Sequence, residues 1–246
     1  MAAEFRYREI DSLRGLAVLL MVMVHAAAIW SPKLSTETSS LSYIVAGLGG
    51  LAAPLFVTIF GWGLIKSRSN NRSSIIKAMI LLILQILVNL SSPQLYQPLS
   101  PGILSLFAVL IILKPLIIKI TTSRTIFLLF WLLILLFYAV NNMLFNIQGE
   151  NNWDFRTNTE NLSMVISHLI LTGTYPVLPW ICYAVVGAFL GSSITEGGKT
   201  LPRNNTTLLL IIIGLCYCLL TLIAADSSDK IWAHPTQGHY LNFFPA

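Results

Sequence analysis

Charge is scarce in this sequence. Only 10% of its 246 residues are Asp, Glu, Lys or Arg, whereas a soluble domain carries roughly 25%. So few polar side chains cannot cover a surface that faces water, which excludes a freely soluble enzyme or binding module. Acidic residues are the scarcer sign, 10 against 15 basic ones, for a formal net charge of +5. That balance raises nucleic acid as a partner. The Lys and Arg residues, however, lie in short segments between apolar runs and form no continuous patch, so no nucleic-acid partner is expected. The three cysteines, Cys182, Cys216 and Cys218, all sit inside apolar runs. They fit neither a disulfide framework nor the usual zinc spacing, which leaves packing as their role. His234 and His239 share a spacing too unspecific for a metal site, and no metal is expected. Internal repeats and low-complexity tracts are also missing.

What is abundant is apolar sequence, at 55% of the chain. A helix needs roughly 20 apolar residues to cross about 30 Å of hydrocarbon. Seven runs approach or meet that length: 13–30, 43–65, 75–90, 102–120, 125–144, 177–194 and 207–225. The third is short for a straight crossing. A further amphipathic stretch, 162–171, is too short to span and is expected to lie on the outer surface or fold back. These runs predict an all-α, polytopic membrane bundle of about seven transmembrane helices, forming one domain over 1–246.

The loops test that count. With the N-terminus in the cytoplasm, the inner segments carry Arg6, Arg8, Arg14, Lys66, Arg68, Arg72, Lys77, Lys114, Lys119, Arg124, Lys199 and Arg203. The outer segments carry only Lys33, Arg156 and Lys230. Twelve against three is a strong inside bias, and a missed or invented helix would scramble it. The C-terminus is then outside. The basic start, the apolar run and Ala26-Ala27-Ala28 resemble a cleavable leader. Glu4, Glu9 and Asp11 before the run, and His25 within it, do not suit one, so the segment is expected to remain as the first helix.

That helix holds three ionisable residues, Asp11, Arg14 and His25. At about 100° and about 1.5 Å per residue, the step from Arg14 to His25 leaves a net rotation of about 20°, and that from Asp11 to His25 about 40° the other way. All three therefore share one face, with His25 roughly 16 Å above Arg14. Ionisable groups inside a membrane face a partner or a wet cavity. Arg14 at the inner edge suits an anionic phosphate, Asp11 suits a helix cap that orients Arg14, and His25 suits a general base. Plainer roles stay open: headgroup anchoring for Arg14, capping alone for Asp11, and an interhelical hydrogen bond for His25.

Arg8-Glu9-Ile10-Asp11-Ser12-Leu13-Arg14-Gly15-Leu16-Ala17, continuing through Met21-Val22-Met23-Val24-His25, resembles the opening of the transmembrane acyltransferase superfamily, whose members place an Arg, ten residues, then a His in the first helix. Within it the chain is most similar to prokaryotic relatives of heparan-α-glucosaminide N-acetyltransferase. Ala53-Pro54-Leu55-Phe56-Val57 with Phe60-Gly61-Trp62-Gly63, and Tyr175-Pro176-Val177-Leu178-Pro179-Trp180 followed by Gly187 and Gly191, agree with that likeness. The resemblance implies an acetyltransferase that takes acetyl-CoA from the cytoplasmic side and acetylates an amino or hydroxyl group of a cell-envelope saccharide or glycolipid outside. His25 would act as base or carry the acetyl group as acyl-histidine. The resemblance also implies further helices after residue 246, supplied by more chain, a second copy or a partner subunit. The family's animal members use a histidine in the first outer loop, and residues 31–42 here contain none.

Other residues complete the candidate site. Arg8, Lys66 and Arg68 join Arg14 as basic groups for the phosphates of CoA, although topology alone also explains the basic 66–77 loop. Trp180, Gln85, Asn89 and His168 are candidate acceptor contacts. Belt anchoring for Trp180 and interhelical hydrogen bonding for Gln85 and Asn89 are the competing roles. The outer acidic residues Glu150, Asp154, Glu160, Asp226 and Asp229 read as solvated. The rival functions are a small-molecule transporter or flippase-like protein, whose repeats or paired broken helices are not detected, and a non-catalytic or truncated family member. The plasma membrane is the expected location.

Overall fold

The computed structural model describes residues 7–30, 40–67, 69–143, 153–193 and 212. Within them all regular structure is helical. In chain order these are α1 (Arg8–Trp30), α2 (Ser40–Lys66), α3 (Asn71–Ser91), α4 (Ile103–Ile112), α5 (Lys114–Thr122), α6 (Arg124–Met143), α7 (Trp153–Thr157), α8 (Leu162–Ser167), a π-helical turn His168–Thr172, and α9 (Val177–Ser193). Arg68, the expected span 207–225 apart from Ile212, the loop 31–39, and His234 and His239 lie outside the described residues.

Local chemistry explains several helix ends. The Asn70 side chain accepts the Ser73 amide at 2.8 Å and so caps α3. Asn161 does the same for α8 through Met164, at 2.9 Å. Pro115 stands in the first turn of α5, where a missing N–H costs nothing. Leu178 precedes Pro179 and is driven out of the helical region (φ −85°, ψ 48°), which kinks the start of α9.

Two runs differ from the straight crossings expected of them. Run 102–120 is two helices, α4 and α5, bent by 65°. Pro115 cannot continue the hydrogen-bond ladder of α4. The Lys114 ammonium is held at 2.6 Å by the Ser67 carbonyl, which draws the start of α5 to the turn between α2 and α3. The stretch 162–171 becomes α8 and the π-helical turn, and with α9 it forms a pair bent by 44° that is long and apolar enough to be one broken span. The third run, read as short, extends to Asn71–Ser91, and its 21 residues reach roughly 31 Å at the ordinary helical rise. Two helices, Leu48–Lys66 and Asn71–Ser91, can cross a membrane as they stand, and up to four spans result if each bent pair counts as one.

Helix α3 shows what solvates the protein. Its buried residues are Ser74, Ala78, Gln85 and Asn89, a single stripe of small and polar side chains. Its exposed face is Ile75, Ile76, Met79, Ile80, Ile83, Leu84, Leu87 and Leu90. A helix of a soluble protein has the opposite arrangement. Helix α6 likewise exposes Leu128, Leu129, Leu132, Leu133, Leu135 and Leu136. Faces of this kind are stable in lipid, so the chain is an integral membrane protein.

The chain divides into two compact units. The described part of the first holds α1 and α2 up to Phe56. The second is Val57–Ser193. In the second unit α3 packs on α4, and α5 packs on both α6 and α9. Leu106, Leu110 and Ile117 are fully buried there, and Phe60 stacks on Phe107 with ring centroids 4.3 Å apart. The later part of α2 meets α9 at glycines. A Cβ on Gly61 would fall 2.1 Å from the Ala184 carbonyl oxygen, and one on Gly187 would fall 1.8 Å from that of Thr58.

Candidate functional site

In the first unit, α1 carries the expected ionisable group. Arg14 Nη1 donates to Asp11 Oδ1 at 3.0 Å, one turn back along the helix. With Arg14 51% exposed, this pair contributes little to stability, under about 1 kcal/mol; its effect is to orient the guanidinium. Arg8 is exposed at the start of the helix. Tyr7, Ile10, Ala17 and Leu20 are buried on a neighbouring stripe. His25 is exposed, and its Nδ1 lies 2.7 Å from the Met21 carbonyl oxygen. A carbonyl can only accept, so Nδ1 carries the proton, and in the neutral ring Nε2 is left with its lone pair.

In the second unit, Lys66 holds its ammonium 5.9 Å above the Trp62 ring, a cation–π distance. Below it the turn into α3 is stitched by hydroxyls. Ser67 Oγ donates to Ser69 Oγ at 3.1 Å, and Ser69 Oγ lies 3.3 Å from Ser74 Oγ.

Gln85 and Asn89 are buried and bonded to each other, Nε2 to Oδ1 at 2.9 Å. The Asn89 amide donates both hydrogens to the loop after α3, to the carbonyls of Pro98 (3.0 Å) and Ser100 (2.8 Å). Gln85 Oε1 accepts the Leu104 amide at 3.2 Å. The Ser100 hydroxyl in turn donates to the Thr157 carbonyl. Gln97 accepts the Thr159 amide and hydroxyl at 2.6 and 2.9 Å. These bonds latch the 92–102 loop onto α3 and α7, so the polar capacity of Asn89 is spent on the fold. Asn89→Ala should strand two carbonyls and the Gln85 N–H and cost about 3 kcal/mol. Thermal unfolding in a neutral detergent measures it, and an unchanged midpoint would remove the latch.

His168 is 2% exposed. Its Nδ1 is 2.7 Å from Thr172 Oγ1, which is 3.3 Å from Ser167 Oγ. The Phe155 ring packs edge-on against it at 5.4 Å. A backbone hydrogen bond links the ring to Asn158, and the Arg156 charge lies nearby. Arg156 is 7% exposed and donates from Nη1 to the Gly173 carbonyl at 3.1 Å. Burial pushes its pKa below the ordinary arginine value, yet an arginine remains protonated. Thr174 joins the same layer through Pro101, at 2.9 Å. Gln85, Asn89 and His168 thus belong to one polar layer of the second unit, tied together through Ser100, Thr157, Arg156 and Gly173. Trp180 is buried between the rings of Tyr175 (5.1 Å) and Tyr183 (5.5 Å). Arg156 had no mark in the sequence beyond being a rare cation, expected outside, next to Phe155. Among the described residues no group of three His, Cys, Asp or Glu side chains could hold a metal ion.

The family described as "Heparan-alpha-glucosaminide N-acetyltransferase, catalytic" matches residues 6–221. No curated protein and no solved structure matches the chain. The match takes in most of the sequence, including both units' described helices, and its character agrees with a helix that carries Asp11, Arg14 and His25 inside a lipid-solvated protein. The chain belongs to the heparan-α-glucosaminide N-acetyltransferase-like family of membrane acyltransferases.

Proposed function

We propose that the protein moves an acetyl group from cytoplasmic acetyl-CoA to an amino or hydroxyl group of an extracytoplasmic saccharide or glycolipid, as one acyltransferase domain over 1–246. It would cross the plasma membrane seven times, with the N-terminus inside and the C-terminus outside. It would work alone, as a homo-oligomer, or with a partner subunit that adds helices. Family membership and the Nδ1–Met21 hydrogen bond support this reading. That bond leaves Nε2 of His25 as the basic nitrogen on the face that also bears Arg14.

In the direct route, the acceptor N–H or O–H gives its proton to His25 Nε2 while the acceptor atom forms a bond to the thioester carbonyl. The carbon–sulfur bond then breaks, and the CoA sulfur takes the proton from His25. In the two-step route, Nε2 bonds to the thioester carbonyl carbon, the carbon–sulfur bond breaks and CoA leaves as thiolate. The acceptor then displaces the acetyl group from Nε2, and its proton goes to the CoA thiolate. Arg14, held by Asp11, and Arg8 would bind a CoA phosphate; Lys66 and Arg68 are further candidates for phosphate from the sequence. Gln85 and Asn89 would support the acceptor side indirectly, by fixing the loop they latch, and Trp180 would present its aromatic cluster to a sugar ring.

Proteoliposomes given acetyl-labelled CoA on the inner side and an amino sugar outside should accumulate labelled sugar. Uptake of intact sugar without acetylation would replace this reading with transport.

A further inference from the structure

Between Glu37 and Glu150 the sequence contains seven basic residues and no acidic one. The cations of this stretch therefore have no carboxylate near them in sequence. Two of them, Lys77 and Lys114, are close enough in the fold for the charge of one to act on the other. Lys114 is anchored: its ammonium donates to the Ser67 carbonyl at 2.6 Å and reaches Ser69 Oγ at 3.5 Å. Ser69 Oγ lies 3.3 Å from Ser74 Oγ. Ser74 stands one helical turn before Lys77 on α3. The two ammonium groups and the two hydroxyls thus share one corner, where the α2–α3 turn meets the start of α5. Like charges in that position repel each other, and among the described residues Lys77 has no hydrogen bond or ion pair.

The surroundings select the partner. Lys77 is exposed, and so are Ile76, Met79 and Ile80 beside it on α3. Lipid solvates that face, where an ammonium is costly unless it reaches an anion or water at the headgroup level. Lys77 stands six residues into α3, roughly 9 Å from its start. Helical side chains lean toward the N-terminus, so its long stem returns the ammonium toward that end of the helix and toward Lys114. A soluble anion answers the charges and gains nothing from the isoleucines. A phospholipid answers both, with its phosphate on the ammoniums and its acyl chains on the apolar face.

We infer that Lys77 and Lys114, with the Ser69 and Ser74 hydroxyls beside them, hold the phosphate of an anionic phospholipid whose acyl chains lie along the exposed face of α3. The phosphate bridges two cations that otherwise repel, and so fastens the α2–α3 turn to the start of α5. The site is independent of acetyl transfer and of the leaflet in which this end of α3 lies.

The full chain in neutral detergent is titrated with dioleoylphosphatidylglycerol or dioleoylphosphatidylcholine, with coenzyme A or inorganic phosphate as competitor. Native mass spectrometry counts the bound molecules. Phosphatidylglycerol should bind saturably, more tightly than phosphatidylcholine, and should survive both competitors. Lys77→Gln should weaken it about five-fold, and Lys77→Gln with Lys114→Gln about twenty-fold. Lys119→Gln removes an equal charge from an exposed position further along α5 and should leave the affinity unchanged. An equal loss with Lys119→Gln would mean diffuse basicity and overturns the site, as does equal binding of phosphatidylcholine. Displacement by coenzyme A or inorganic phosphate overturns the lipid as occupant. Lys114 also pins α5, so if the double variant fails to fold, the exposed Lys77→Gln decides.

Discussion

Gly187→Ala is expected to destabilise the protein more than any other single-methyl addition in the second unit. The added carbon would lie 1.8 Å from the Thr58 oxygen, 2.7 Å from the Thr58 carbonyl carbon and 3.0 Å from the Trp62 nitrogen. All three are backbone atoms, so no rotamer relieves the clash, and α2 and α9 must move apart. Overpacking a tight interface costs roughly 1–3 kcal/mol and sometimes more. Here separation also forfeits the close backbone contact that holds apolar helices together in lipid, where no hydrophobic force drives them. The cost is therefore placed at the upper end, about 3 kcal/mol. Gly61→Ala should be nearly as severe, since its carbon would meet the Ala184 oxygen at 2.1 Å. Gly191→Ala is the internal control. Its nearest neighbour would be the Trp62 oxygen at 3.4 Å, and alanine is favoured over glycine in a helix by about 1 kcal/mol. It should be neutral or slightly stabilising. The Gly61→Ala, Gly187→Ala double variant should fall short of the sum, because one separation of the helices accommodates both methyls. Thermal midpoints and monodispersity in detergent rank the four variants. Equal losses at Gly187 and Gly191 would mean that distance to the backbone is not what matters.

This contact shows how far a sequence reaches. Gly61, Gly187 and Gly191 stand out as small residues in apolar runs, but which of them touches a neighbour depends on helix placement. The membrane character of α3 was legible in its hydropathy but its full length was not, because its polar first turn, 71–74, lies outside the apolar run. Gln85 and Asn89 stood out as polar residues within the span. Their partners did not, because Pro98 and Ser100 accept through backbone carbonyls that every residue possesses. The 65° bend in run 102–120 was written in Lys114-Pro115, yet a hydropathy average over the run conceals it. Arg156 was the hardest case. Its charge counted as an outer loop cation, while its burial comes from the π-helical turn and Gly173 folding over it. For α1, the Arg14–Asp11 pair was readable from a spacing of three, and the Met21 bond of His25 from a spacing of four.

His25→Ala should abolish acetyl transfer and leave the fold unchanged. The imidazole is exposed, and its bond runs to a carbonyl of its own helix. Surface substitutions of that kind usually shift stability by within about 0.5 kcal/mol. The loss of rate depends on the route. Removal of a positioned base costs about 10²- to 10⁴-fold, and removal of a nucleophile leaves no pathway through a covalent acetyl-enzyme. Single-turnover experiments with acetyl-labelled CoA separate the two, since only the second route leaves label on the wild-type protein when acceptor is withheld. Arg14→Ala should behave differently. If its guanidinium grips a phosphate equally in ground and transition states, KM for acetyl-CoA rises while kcat holds. Asp11→Asn should follow Arg14→Ala at reduced size, because it loosens the guanidinium without removing it. A His25→Ala protein with full kcat would end the proposal that this imidazole touches the reacting atoms. An Arg14→Ala protein that lost kcat with KM unchanged would move the arginine from the phosphate to the chemistry.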